Sequence, residues 1–185
     1  MLRAPDPALR LRPAVEADVP AIAAIYADAV LGGCASFEIE PPDTAEMRRR
    51  LAAVTTPGFP WLVAERDDTI LGYGYYSHYR TRPAYRFTVE NSIYVATTTR
   101  RGGVGRTLLA ALIAHAEAAG FRQMIAVIGD GANAASIGLH GACGFTPAGV
   151  LSAVGWKHGR WVDSVLMQRP LATGARTPPE PGRSD

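Results

Sequence analysis

The stretch from Thr88 to Ala119 constrains this chain more than any other, because three kinds of local structure follow one another there without a gap. A β-type run ends at Val95, Ala96-Thr97-Thr98-Thr99 leads into Arg100-Arg101-Gly102-Gly103-Val104-Gly105-Arg106, and a long helical pattern begins at once. Over Gly103 to Ala119, Val104, Leu108, Leu109, Leu112, Ile113 and Ala116 recur at helical spacing and form one wide apolar stripe. Strand, basic glycine-rich loop and helix together make a cradle for an anion. The first helical turn has unpaired N–H groups at the positive end of the helix dipole, and glycines let the backbone approach a phosphate closely. No Lys-Ser or Lys-Thr follows the glycines, so this is not a Walker loop, and the third glycine of a dinucleotide fingerprint is missing. A tight turn flanked by solvated arginines would use the same residues, so the loop alone leaves both readings open.

The flanking sequence supplies further elements. Leu9 to Ala14 alternates as a short strand, and Glu16-Ala17-Asp18-Val19-Pro20 starts a helix with Ile22, Ile25, Tyr26, Ala29 and Val30 on one face, stopped at Gly32-Gly33. Pro41-Pro42-Asp43-Thr44 caps a second helix, with Glu46, Arg48, Arg49 and Arg50 on its wet side. Trp61 to Glu65 and Ile70 to Tyr79 flank a turn at Asp67-Asp68 and read as a hairpin, and a third strand is expected over Tyr85 to Val95. Met124 to Ile128 has the apolar run of a buried strand, Ala134 to Ala142 reads as a short helix, and two last strands surround Lys157-His158-Gly159. The tail is rich in Pro, Gly, Arg and Ser. It is expected to be disordered over 172–185, leaving one domain over 1–171.

Charge and cysteine usage narrow the function classes. Nineteen Lys and Arg against seventeen Asp and Glu leave +2, too little for a dedicated nucleic-acid binder, so any cationic site must be local. Lys157 is the only lysine; the rest of the positive charge is guanidinium, which suits phosphate and carboxylate. Cys34 and Cys143 belong to no ligand pattern, so reduced thiols without zinc or other metal are expected. No signal-type segment and no apolar run of membrane-spanning length is visible, which leads to the expectation of a cytoplasmic protein without membrane or nucleic-acid partners.

Arg100-x-x-Gly103-x-Gly105 before the long helix resembles the coenzyme A pyrophosphate loop of the GNAT acetyltransferase family. Asn133-x-x-Ser136-x-x-Leu139-His140-x-x-x-Gly144-Phe145 resembles that family's second signature. Ser36-Phe37-Glu38, Tyr85-x-x-Thr88-Val89-Glu90-x-Ser92-Ile93-Tyr94-Val95 and Val154-Gly155-Trp156-Lys157-His158-Gly159-Arg160-Trp161 are similar to the phosphinothricin and methionine sulfoximine N-acetyltransferases. The similarity runs from about Leu9 to Leu171. It implies an α+β fold: a central mixed, mostly antiparallel sheet, splayed near its middle, with helices on both faces. It also implies acetyl-CoA as co-substrate, acetylation of the α-amino group of a small amino-acid analogue, and a homodimer paired through the C-terminal strands.

The site implied by the resemblance has three parts. Glu90 shares a strand face with Ser92 and Tyr94, and a carboxylate among strand residues is costly to bury unless it is used, so it is the candidate general base. A structural pairing of Glu90 with Arg80 or Arg86 is the rival reading. His140 stands where many GNAT enzymes have a tyrosine, either donating a proton to the departing thiolate or packing beneath the pantetheine. The cofactor is expected at the backbone of Ile93, Tyr94 and Val95, at the loop Arg100, Arg101, Gly102, Gly103, Val104, Gly105 and Arg106, and at Asn133 and Ser136. The substrate is expected against Phe37, Arg80, Arg82, Pro83, Ala84 and Tyr85, where guanidinium groups stand beside aromatic rings. Lys157 reads either as a surface charge in a hairpin turn or as part of that wall. A protein or peptide N-acetyltransferase and a non-catalytic acyl-CoA sensor are the rival functions.

Overall fold

A computed structural model of the chain describes residues 9–99 and 102–179. The regular elements are β1 (Arg10–Pro13), α1 (Val19–Leu31), α2 (Thr44–Thr55), β2 (Trp61–Arg66), β3 (Thr69–His78), β4 (Thr88–Val95), α3 (Val104–Ala118), β5 (Gln123–Gly129), α4 (Ala134–Ala142), β6 (Thr146–Lys157) and β7 (Arg160–Pro170). The seven strands form one sheet in the order β1-β2-β3-β4-β5-β7-β6. Neighbours are antiparallel except β4 and β5, which run parallel. A parallel pair needs a crossover, and α3 supplies it. The expected α+β architecture is present.

Alternation along the strands sends side chains to two cores. On one face Tyr76, Val89, Met124, Ala126, Ile128 and Met167 pack with Leu109, Leu112, Ile113 and Ala116 of α3. Gly72 and Gly74 on this face of β3 let α3 come close, since a methyl group there would stand 3.1 Å from Val104 and 3.2 Å from Leu112. On the other face Trp61, Val63 and Tyr73 pack with Val19, Ile22, Ile25, Tyr26 and Val30 of α1 and with Met47 and Leu51 of α2. Leu108, Leu109 and Leu112 are fully buried, each contributing about 1.5–3 kcal/mol of transfer free energy.

Two segments depart from expectation. Pro83–Tyr85 forms a 3-10 turn, and the strand begins only at Thr88. Pro83 fixes its own φ, and its carbonyl accepts from Arg86 N at 3.1 Å, so the chain turns where the aromatic run suggested a strand. The tail, expected to be disordered from 172 onward, turns back at Ala172 to Arg176. The Arg122 guanidinium donates to the carbonyls of Gly174 and Thr177 at 2.9 and 2.8 Å, partners that composition does not disclose. Residues 180–185 lie outside the described residues.

Candidate active site

β4 and β5 are paired only from Thr88↔Gln123 to Asn91↔Ala126. Beyond that rung β4 continues along β3 as far as Gly72↔Val95, while β5 continues along β7 as far as Gly129↔Ser164. The sheet therefore splays after Asn91. The direction of the backbone groups follows from the antiparallel ladder: Tyr79 N donates to Thr88 O at 3.1 Å, and Ala96 N to Leu71 O at 2.9 Å. Since ladder bonds alternate, Thr88, Glu90, Ser92, Tyr94 and Ala96 turn their N–H and C=O groups to β3, and Ile93 and Val95 turn theirs into the splay. Buried backbone polar groups need partners, so the bare edge at Ile93 and Val95 invites an extended chain of another molecule. Tyr94, expected to share this role, has its backbone aimed at Tyr73 in β3 instead. Its ring packs edge-on against Tyr26 at 4.9 Å.

Glu90 sits on the α1/α2 face of β4 and is half-buried. Among the described residues its carboxylate makes no hydrogen bond or ion pair. Burial pushes its pKa above the usual carboxylate range, and nearby Arg80 opposes that rise. Arg86, the other structural partner considered, lies over the Phe87 ring at 4.5 Å and donates to Pro83 O. A half-buried carboxylate with a raised pKa and a free lone pair is suited to accept a proton.

The glycine loop enters α3 through Gly103, whose φ of 88° is left-handed, a conformation glycine adopts without strain. Gly102 is exposed, as is Arg106 in the first turn, and the N–H groups of that turn are unpaired within the helix. Val104 contributes its backbone there, but its side chain is core, packed with Ala64, Leu71 and Leu108. A Cβ on Gly105 would meet Leu139 of α4 at 3.2 Å and Val95 at 3.4 Å, so this glycine sets how close the two helices and the β4 edge stand. Arg100 and Arg101 lie outside the described residues.

Asn133 caps α4, its Oδ1 accepting from Ser136 N at 3.2 Å. One and two turns on stand Ser136 and His140, and the His140 ring reaches Asn91 at the end of the β4·β5 ladder. His140 is buried, with Nε2 3.1 Å from Asn91 Oδ1 and Nδ1 2.8 Å from Ser136 O and 3.4 Å from Ser136 Oγ. The Phe145 ring meets it edge-on at 5.0 Å. Burial pushes the imidazole pKa down, against the Ser136 carbonyl, which raises it. In this geometry both ring nitrogens of His140 are turned to protein atoms. Glu90 and the Asn91 side chain that meets His140 lie on opposite faces of β4, flanking the splay.

On the Glu90 face, the loop after α1 crosses to the far half of the sheet. Phe37 is 40% exposed, yet its ring rests on Gly129 of β5 and Gly155 of β6, where an added Cβ would meet it at 3.2 and 2.9 Å. Lys157 holds this loop, donating from Nζ to Ser36 O at 2.7 Å, while Ser36 Oγ bonds Tyr26 Oη at 2.9 Å. Lys157 is thus buried and tied 121 positions away, and burial pushes its pKa down. Its reading as a surface charge is corrected. Opposite, Arg80 lies over the Tyr79 ring at 4.6 Å and Tyr79 meets Tyr85 edge-on at 5.8 Å. Arg82, Pro83 and Ala84 are exposed in the turn beside them.

The sequence model of the Acetyltransferase (GNAT) domain matches residues 11–166, which is most of the chain. This chain belongs to the GNAT acetyltransferase family. Among its relatives, phosphinothricin N-acetyltransferase of Alcaligenes faecalis is 60% identical over 163 residues, covering 88% of this chain and 83% of that protein. L-methionine sulfoximine/L-methionine sulfone acetyltransferase of Pseudomonas paraeruginosa is 43% identical over 159 residues, covering 85% and 92%. A crystal structure of a GNAT phosphinothricin acetyltransferase from Sinorhizobium meliloti in complex with AcCoA superposes with a TM-score of 0.91 at 47% identity, covering 95% of each chain.

Within this GNAT domain the fold gathers most of the residues singled out from the sequence at the splay. Ile93, Val95, Gly103, Gly105, Asn133 and Ser136 surround its α3/α4 side, and Glu90, Phe37 and Arg80 its α1/α2 side. Sequence reasoning missed Asn91 and the anchoring role of Lys157. Asn91 had a signal: an amide on the inward face of a strand between Val89 and Ile93 must find partners when buried.

Proposed function

We propose that this GNAT domain moves the acetyl group of acetyl-CoA to the α-amino group of a small amino-acid analogue of the phosphinothricin or methionine sulfoximine type, by direct attack. The observation that carries this reading is the bare β4 edge at Ile93 and Val95, opening beside an unpartnered, half-buried Glu90. Residues suited to the cofactor are at hand: the Ile93 and Val95 backbone for an amide-bearing arm, the first turn of α3 behind Gly102 and Gly103 for phosphates, with Arg100, Arg101 and Arg106 for charge, and the first turn of α4 at Asn133 and Ser136. When bound, acetyl-CoA supplies an acyl thioester whose carbonyl carbon is open to an amine and whose thiolate is the leaving group.

Glu90 takes a proton from the substrate ammonium, directly or through one water, and so frees the nitrogen lone pair. Arg80, with Arg82 near it, offers a guanidinium to the substrate carboxylate, while Tyr85, Pro83, Ala84 and Phe37 are the residues that would wall a small substrate. Lys157 holds Phe37 in place through Ser36. His140 positions β4 against α4. A non-catalytic sensor has no use for Glu90, whose burial as a carboxylate is unfavourable without a reaction to serve. We also propose that the protein forms a homodimer through β6 and β7, where Val150, Leu151, Val154, Trp156 and Trp161 are all at least half exposed. Among the described residues no helix is long and apolar enough to cross a membrane, and a cytoplasmic site of action suits a pool of acetyl-CoA and free amino acids.

The test is acetyl-CoA consumption by the purified protein against a panel of proteinogenic amino acids, phosphinothricin, methionine sulfoximine, methionine sulfone and lysine-containing peptides. Turnover with the analogues well above that with peptides is expected. Acetylation of peptides in preference to the analogues, or absence of acetyl-CoA binding by calorimetry, overturns the assignment.

A further inference from the structure

The parallel ladder between β4 and β5 ends at Asn91, so hydrogen bonds within the sheet no longer fix the distance between its two halves at Ile93 and Val95. The core on the α1/α2 face does not fix it either, being built from α1, α2, β2 and β3 with Tyr94 of β4 at its edge. What crosses the gap on this face is the loop after α1. It lies along the β6/β7 turn, with His158 Nε2 3.3 Å from Gly33 O, Arg160 Nη2 donating to Cys34 Sγ at 3.6 Å and Lys157 Nζ donating to Ser36 O at 2.7 Å.

Ser36 is the point where this loop is tied to the other half. Its hydroxyl oxygen accepts from Glu38 N at 3.2 Å, which closes a turn around Phe37, and bonds Tyr26 Oη of α1 at 2.9 Å. The Tyr26 ring in turn meets Tyr94 of β4 edge-on at 4.9 Å. From β4 to β6 the links are thus Tyr94, Tyr26, Ser36 and Lys157, and the last three are 8%, 8% and 4% exposed. Hydrogen bonds so deeply placed are strengthened by the low local dielectric. Among the described residues no carboxylate pairs with the Lys157 ammonium, and the carboxylate of Glu38 is engaged by Arg50 at 2.7 Å. A buried cation held by a carbonyl alone is a costly way to stabilise a fold, and its presence here fits a geometric purpose. We propose that Tyr26 and Ser36 are positioning residues: with Lys157 they form a buried strut that ties β4 to β6 across the splay and fixes its width beside Glu90. The consequence for acetylation, a fixed separation of Glu90 from the Phe37 ring, rests on the proposed active site; the strut itself does not.

Lys157 is the only lysine, so labelling the whole protein with ε-15N-lysine, without cofactor, gives a single side-chain NMR signal that reports on the β6 end of the strut. In the wild type its ammonium protons are expected to exchange slowly enough to be observed at neutral pH. Exchange at the rate of free lysine overturns the proposal without recourse to any variant. Tyr26→Phe keeps the ring against Tyr94 and deletes one hydroxyl of the strut, and Ser36→Ala deletes the other. Each is expected to speed the Lys157 exchange about tenfold or more, and Ser36→Thr to restore it. An exchange rate unmoved by Tyr26→Phe means that α1 and β6 are not coupled, and refutes the strut. In turnover, Tyr26→Phe and Ser36→Ala should raise the amine KM about tenfold with kcat within about threefold of wild type. A merely structural role would deplete active enzyme and lower kcat with KM unchanged, and that result overturns the positioning role. If no amine is acetylated while the exchange results hold, the active-site reading fails and the strut stands.

Discussion

Replacing Glu90 by glutamine removes the proton acceptor while keeping the side chain's shape. Among the described residues the carboxylate makes no hydrogen bond that the amide would break. General-base assistance contributes about a hundred- to ten-thousand-fold in rate. At ~1.4 kcal/mol per decade this is about 3–5 kcal/mol of lost transition-state stabilisation. The fold should not suffer. The raised pKa of Glu90 means that its ionised form is less favourable in the folded than in the unfolded chain, so it costs stability as pH rises from the ordinary glutamate value through the folded one. Glutamine removes that cost, and the thermal midpoint at neutral pH should be equal or higher. The assay is steady-state release of the CoA thiol with the best amine from the panel, with acetyl-CoA affinity measured separately. A kcat/KM of Glu90→Gln within about threefold of wild type refutes the base assignment. Loss of cofactor affinity in parallel with rate would instead mean that the substitution disturbed the β4 edge.

Arg80→Ala removes the cation that opposes the rise of the Glu90 pKa, so the acidic limb of the kcat/KM profile should move to higher pH and the amine KM should increase; an unmoved limb sinks this coupling. Gly129→Ala places a Cβ 2.0 Å from the backbone oxygen of Cys34 and against Phe37, forcing the loop off the sheet. A destabilisation of about 1–3 kcal/mol is expected. Calorimetry should read it as a midpoint lower by about 2–4 °C per kcal/mol, and an unchanged midpoint contradicts the close approach. Paired Trp156→Glu and Trp161→Glu substitutions should convert a dimer to monomers in sedimentation; a wild-type protein already monomeric at high concentration refutes the β6/β7 interface.

Much of this molecule was legible in local pattern. The stripe Val104, Leu108, Leu109, Leu112, Ile113 and Ala116 is buried along α3 as its spacing predicts, because a helix has one period and one face to hide. Alternation likewise put Glu90 and Asn91 on opposite faces of β4, and glycine marked the left-handed entry to α3 at Gly103. What a residue meets across the fold has no such local trace. Lys157 reads as a turn residue until a carbonyl 121 positions away is brought to its ammonium, and the sequence leaves His140 between proton donor and packing residue with no sign that Asn91, 49 positions away, closes on its Nε2. Periodicity reports which side of an element faces inward, since that depends on neighbours a few residues apart. The partner waiting inside is chosen by how helices and strands dock, so the elements and the cofactor loop belonged to the sequence, while the sheet's splay, the anchoring of the Phe37 loop and the partners of the His140 ring were decided only by tertiary packing.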